Sequence, residues 1–197
     1  MKCRIDAIES GFKMIIETIF STVDAEGMPN FAPMGVEWGE EFCTVRPYRT
    51  TRTCGNLNAS GIGVVNITDN VLSYVQTALY DGVLPFQPAR VVEGVVFVQA
   101  CSWRELEVVE SGGSEARAEF RCRVMHAERR KDFLGFCRAA NAVLEATILA
   151  TRLDRNERSW VNERMVDFDR IVEKTGGVIE KEAMQLVRNF VLNAEAK

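Results

Sequence analysis

Apolar residues in this chain recur every second position up to about residue 130 and every three to four positions after it. That one switch limits the fold to a β-rich body carrying a helical C-terminal part. The clearest alternation sets Ala116, Ala118, Phe120, Cys122 and Val124 on one face and Arg117, Glu119, Arg121 and Arg123 on the other. Residues 15–23 and 30–36 read as two arms of a hairpin around Asp24 to Gly27, with Gly27 in a left-handed turn. Residues 42–46 form a short strand stopped by Pro47, which has no amide to donate. Residues 62–68 make a buried strand, and 94–101 another that continues less cleanly to Val109, with a turn at Gly112-Gly113. Six or so strands joined by hairpin-like turns favour a closed antiparallel barrel, which leaves no exposed edge.

Between the strands, residues 50–60 suit a short helix ended by Gly61, and 71–80 a helix capped by Thr68 or Asp69. Gly82, Pro85 and Pro88 mark 81–90 as a loop. Beyond Lys131, residues 133–153 are apolar around most of a helical circumference and predict a largely buried helix. Two amphipathic helices follow, one through Trp160 and Phe168 to Gly176-Gly177, the other through Ile179 and Phe190. Without a low-complexity linker, the division is a barrel domain over 1–130 and a helical subdomain over 131–197 packed on it.

With 24 Lys+Arg against 28 Asp+Glu, the net charge of −4 argues against nonspecific binding to nucleic acid or anionic lipid. Charges at Lys2, Arg4, Asp6, Glu9 and Lys13 interrupt any signal-peptide core, and no apolar run is long enough to span a membrane, so a soluble, cytoplasmic protein is expected. Cys3, Cys43, Cys54, Cys101, Cys122 and Cys137 contain no C-x-x-C pair and read as reduced thiols. His126 is the sole histidine, so no metal site and no His-based nucleophilic pair is expected, and no catalytic residue is assigned. Trp38, Trp103 and Trp160 read as anchors of packing or of a subunit interface.

Against that acidic background, V-R-P-Y-R-T-T-R-T at residues 45–53 gathers Arg46, Arg49 and Arg52 with Thr50, Thr51 and Thr53. Forked and hydroxyl donors in this density suit a phosphate. The following G-I-G-V-V-N begins like a dinucleotide fingerprint, but Asn66 stands at the third glycine's place and the segment is a strand, so a Rossmann reading fails. No P-loop motif is present.

Taken in order, T-V-D-A-E-G-M-P-N-F-A-P-M-G-V at 22–36, the Arg/Thr segment, T-x-x-N-L at 53–57 and G-x-G-V-V-N-I-T at 61–68 resemble the FMN-binding split-barrel superfamily on its flavin-reductase-like side. The resemblance covers roughly residues 12–128, and residues 136–152 resemble a helix of a branch with a helical C-terminal subdomain. It implies a six-stranded antiparallel split β-barrel with FMN as cofactor. The ring edge would lie on Pro33, Met34, Gly35, Val36, Arg46, Pro47 and Tyr48, and the phosphate on Arg49, Thr50, Thr51 and Thr53. Arg52 depends on where the helix starts, and Asn56 would hold the loop. Asn66 and Thr68 are either ribityl or pyrimidine contacts or local caps. A homodimer with the flavin site at the subunit interface is implied as well.

Arg138, Glu145 and Arg152 recur every seven residues beside Asn141, and read either as an ion-pair network joining helices or subunits or as a polar substrate site. The leading function is an FMN-dependent oxidoreductase moving hydride or electrons between NAD(P)H, or a similar donor, and an acceptor. The alternatives are a non-catalytic carrier of a flavin, deazaflavin or pterin, and a purely structural dimerisation module.

Overall fold

The computed structural model describes residues 14–195; Cys3 and the charged stretch that argued against a signal peptide lie outside them. Strands β1 (Ile15–Val23) and β2 (Pro29–Glu37) form the expected hairpin, in a register that pairs Phe20 with Ala32. Gly27 takes φ 83° at its turn, where Asp24 also accepts from the amides of Glu26 and Met28. Strand β3 (Phe42–Val45) ends before Pro47, helix α1 (Arg52–Ser60) follows, and Gly61 at φ 70° closes that helix before β4 (Ile62–Ile67). Helix α2 (Val71–Leu79) comes next, then the short strands β5 (Phe86–Pro88) and β6 (Val95–Phe97), and the long hairpin of β7 (Ser102–Gly113) and β8 (Ala118–Arg129). Helices α3 (Arg138–Ala150), α4 (Arg158–Thr175) and α5 (Val178–Glu195) complete the chain, with a 3-10 turn at Leu153–Arg155.

Six antiparallel strands close a barrel in the order β1-β2-β3-β8-β7-β4, while β5 and β6 pair only with each other. Phe20, Val36, Val45, Leu57, Leu106 and Phe120 fill the barrel. Ile19 faces the other way and joins a second apolar cluster with Phe31, α2 and the three C-terminal helices. Two adjacent residues of β1 thus serve two cores, as the period of a strand requires.

Four expectations need correcting. Helix α2 is capped by Asn70, whose Oδ1 accepts from Ser73 N at 3.2 Å, because Asn70 is the residue directly before the first helical one. The long strand expected over 94–109 is broken, since Ala100 N turns back to Phe97 O at 3.0 Å and sends β6 to pair with β5 inside the expected loop. The first C-terminal helix starts at Arg138; residues 133–136 run exposed, and Gly135 sits at φ 95°, outside helical geometry. Arg138, Asn141, Glu145 and Arg152 are exposed, so no ion-pair network buried between helices of this chain forms there. Of the tryptophans, Trp103 is buried and Trp38 lies beneath the Arg104 guanidinium at 3.7 Å, whereas Trp160 is exposed.

Candidate functional site

The outer face of the β1–β2 hairpin, the segment after β3, and helices α2 and α3 enclose a cavity of about 840 Å³. Its floor is β2 from Asn30 to Gly35. One end is the segment from Arg46 to Thr53, where Pro47 ends pairing and the chain turns into α1. Tyr74, Thr77 and Ala78 of α2 and Thr147, Ile148 and Thr151 of α3 supply the opposite wall.

Local chemistry fixes the end nearest α1. Thr51 Oγ1 donates to Tyr48 O at 2.7 Å and accepts from Cys54 N at 3.3 Å, which caps the helix. Cys54 N and Gly55 N are thus both satisfied by Thr51, leaving the first-turn amides of Arg52 and Thr53 with no acceptor inside the helix. Thr53 Oγ1, buried, accepts from Asn30 Nδ2 at 3.0 Å and ties α1 to the floor. Thr50 and Arg52 stay exposed beside those amides. Helix dipole, amides, a hydroxyl and a guanidinium together make a corner whose chemistry suits an anion.

Five arginines reach this cavity: Arg46, Arg52, Arg117, Arg152 and Arg155. Arg46 is held by Glu37 at 2.7 Å and by Glu119 at 2.6 Å, which raise its pKa above the ordinary value. Arg52 pairs with Asp81 at 3.2 Å. Arg117 lies 4.0 Å from the Tyr48 ring centroid and donates to Arg46 O at 3.1 Å. Arg117, and then Arg155, lower the pKa of the Tyr48 phenol through hydrogen bonding and charge. On the facing wall the Tyr74 hydroxyl donates to Glu17 at 3.2 Å, and burial together with that carboxylate raises its pKa strongly.

Nine residues named from the sequence come together on the cavity: Pro33, Met34, Gly35, Arg46, Pro47, Tyr48, Thr50, Thr51 and Thr53. Val36 points into the barrel core instead, one residue out of phase with Gly35. Arg49 turns away, its Nε donating to Ser114 O at 2.8 Å and its Nη2 to Gly112 O at 3.2 Å, so it secures the β7–β8 turn. Asn66 is fully buried, donating to Ile19 O and Ser21 Oγ at 3.0 Å each and accepting from Phe97 N at 2.9 Å. Thr68 accepts from Asn70 N at 3.1 Å in the turn before α2, and Asn56 donates to Thr22 Oγ1 at 3.0 Å. Arg138, Asn141 and Glu145 do not line the cavity, although Glu145 is near enough to act on Tyr74. The sequence reading missed Arg117, Arg155 and the α2 wall; the one available signal was Arg152, the last member of the seven-residue stripe.

Residues 16–131 match the family model described as "Protein of unknown function (DUF447) N-terminal domain", and residues 137–189 match "Protein of unknown function (DUF447)". The chain belongs to the DUF447 family. Among solved structures, an FMN-bound DUF447 protein from Methanosarcina mazei superposes with a TM-score of 0.78 at 24% identity, over 91% of this chain and 96% of that one. The 2-nitrobenzoate 2-nitroreductase of Pseudomonas fluorescens gives a TM-score of 0.51 at 15% identity, over 61% of this chain and 67% of its own. Nitrilotriacetate monooxygenase component B from Bacillus cereus gives 0.50 at 18% identity, over 65% and 77%. These likenesses show that this DUF447 chain has the fold of the split-barrel flavoproteins, with the helical part included in the archaeal match.

Proposed function

We propose that this DUF447 protein binds FMN in the cavity between β2 and helices α2 and α3, and works as a flavin-dependent oxidoreductase. The observation that carries the reading is the joining, in one cavity, of the α1 anion corner and the β2 floor. The donor set fits the cofactor: a phosphate dianion takes the free amides of α1 with Thr50 and Arg52, and a flat polar ring takes the backbone of Pro33 to Gly35 and of Pro47 to Tyr48. Bound FMN would supply the redox chemistry, taking a hydride from a nicotinamide or similar donor and passing electrons to an acceptor. This chain's part is to anchor the phosphate, to place Tyr48 and Arg117 beside the ring and to cover it with α3. The FMN-bound archaeal relative and the reductase neighbours support the reading. A homodimer that completes the site is proposed with it, along with a cytoplasmic setting, where Cys43, Cys54, Cys101, Cys122 and Cys137 remain free as they are here.

The test begins with the visible spectrum of the purified protein, or of protein mixed with FMN. A flavin band shifted by binding is expected, bleached under anaerobic NADH or NADPH. A colourless protein that leaves FMN fluorescence unchanged would end the proposal, whereas binding without bleaching by either nicotinamide would reassign the chain as a flavin carrier. Sedimentation showing only monomer at assay concentration would remove the dimer.

A further inference from the structure

Two of the cavity's five arginines are held by carboxylates at 3.2 Å or less, one has a single distant carboxylate, and two have none among the described residues. Arg46 has Glu37 and Glu119, and Arg52 has Asp81. Arg117 and Arg152 have no carboxylate within ion-pair distance among the described residues, and Arg155 has only Asp154, at 3.9 Å. All three side chains line the same cavity in a protein of net charge −4. Arg117 stacks on the Tyr48 ring at 4.0 Å, and Arg155 lines the same cavity as Tyr48, so the start of the last barrel strand and the turn after α3 share one wall.

Structural roles do not account for Arg152 and Arg155. An arginine just past a helix often binds the last carbonyls, but Arg152 O is taken by Asn156 Nδ2 at 2.8 Å, and Thr147 O and Leu149 O are taken by the backbone amides of Thr151 and Arg152. Neither the Arg152 nor the Arg155 guanidinium bonds a carbonyl at the end of α3. Arg117 alone is used within the fold, stacked on Tyr48 and bonded to Arg46 O. Like charges gathered on one wall repel each other, and a bound anion removes that repulsion.

We infer that Arg117, Arg152 and Arg155, with the Tyr48 hydroxyl, form a second anion subsite that takes a phosphate or carboxylate group on the molecule exchanging electrons with the flavin. The subsite is separate from the α1 corner: its side chains come from β8's start and the end of α3, not from the Thr50–Thr53 turn. Forked guanidinium donors match either oxyanion, and the phenol adds one more donor. The inference rests on the flavin reading for the identity of the first ligand, but the arginines can be tested without it.

The variants are Arg152→Ala/Arg155→Ala together and Arg155→Lys alone; both positions are exposed, so folding should survive. Calorimetric titration with inorganic pyrophosphate and with benzoate is run on protein with and without saturating FMN, and NADPH is compared with NADH by the change in flavin absorbance under anaerobic conditions. At least one anionic probe should bind the unaltered protein, and the double variant should weaken it by about tenfold or more, with FMN affinity within about twofold. Arg155→Lys should lie between. A phosphate source predicts weakened pyrophosphate binding, with NADPH alone weakened if the group held is the 2′-phosphate and both nicotinamides weakened if it is the shared diphosphate; a carboxylate source predicts loss of benzoate binding only. The inference is overturned if the double variant leaves every probe within twofold, or if it weakens FMN itself tenfold, since the arginines would then belong to the flavin phosphate. Failure of FMN to bind, with pyrophosphate still sensitive to the double variant, would sink the flavin reading and keep the subsite.

Discussion

Glu105 shows how little a residue type says without its surroundings. It is a fully buried carboxylate in a barrel strand, yet its oxygens accept from the amides of Arg90, Val91 and Val92 at 2.8, 2.7 and 3.1 Å and from Trp103 Nε1 at 3.2 Å. Desolvation alone would raise its pKa; the three backbone donors outweigh it, and the pKa is lowered. The ionised form is therefore the one the fold needs. Its contribution is complete above the unfolded carboxylate pKa and is lost as pH falls through the folded one. Glu105→Gln should cost about 2–4 kcal/mol near neutral pH, less in acid, and flatten that part of the pH–stability curve measured by urea unfolding. Gly63 was legible in sequence only as a letter of a motif, in a false dinucleotide fingerprint and in the split-barrel resemblance. Its actual reason is space: a Cβ there would stand 2.4 Å from Phe20 Cζ inside the packed barrel. Gly63→Ala should cost about 1–3 kcal/mol, whereas Gly55→Ala, with nothing within 4 Å in helix α1, should stabilise by about 0.5–1 kcal/mol.

At the level of elements, contiguous segments were readable and assembled ones were not. Pro33 to Gly35 and Arg46 to Thr53 could be placed together because β2 and β3 are neighbours in chain and in sheet. Arg117 carried no such signal: it stands one residue before β8, and reaches Tyr48 only because barrel closure forms an isolated bridge between the two residues. The direction of Arg49 was hidden for the same reason, since its carbonyl partners belong to a turn more than 60 residues away. Helix α1 and its end at Gly61 were legible, but its start and the Thr51 cap were not, and the proposed phosphate site depends on that start. Thr51→Ala should destabilise by about 1 kcal/mol and weaken FMN several-fold, because fraying of the first turn disperses the amides of Arg52 and Thr53. Thr51→Ser should restore both, and Arg49→Ala should leave fluorescence-measured FMN affinity within about twofold while lowering Tm. Equal FMN affinity in Thr51→Ala and unaltered protein would detach the anion corner from the cofactor.

Across the whole molecule, the switch from strand to helix period near residue 131 marks a change of architecture within a shared core. The two family-model matches meet at the same place. Packing crosses that line, however. Ile19 and Phe31 of the barrel lie in one cluster with Val143, Ala146, Met184 and Val187 of the C-terminal helices. Helix α2, which precedes the switch, is joined to α5 through Tyr80 Oη, which donates to Leu186 O at 2.8 Å, and through the edge contact of Tyr80 with Phe190 at 6.1 Å. Removing residues 132–197 would expose that apolar cluster on the barrel's outer face and delete the α3 wall of the cavity together with Arg152 and Arg155. Burial on this scale carries more free energy than a domain's marginal stability can lose. A chain ending at residue 131 should therefore aggregate or unfold without a cooperative transition, and should not bind FMN even where it stays in solution. Calorimetry and size-exclusion chromatography decide it: a monodisperse truncated barrel that melts cooperatively near the intact chain's Tm would show that the strands stand alone and the helices only cover them.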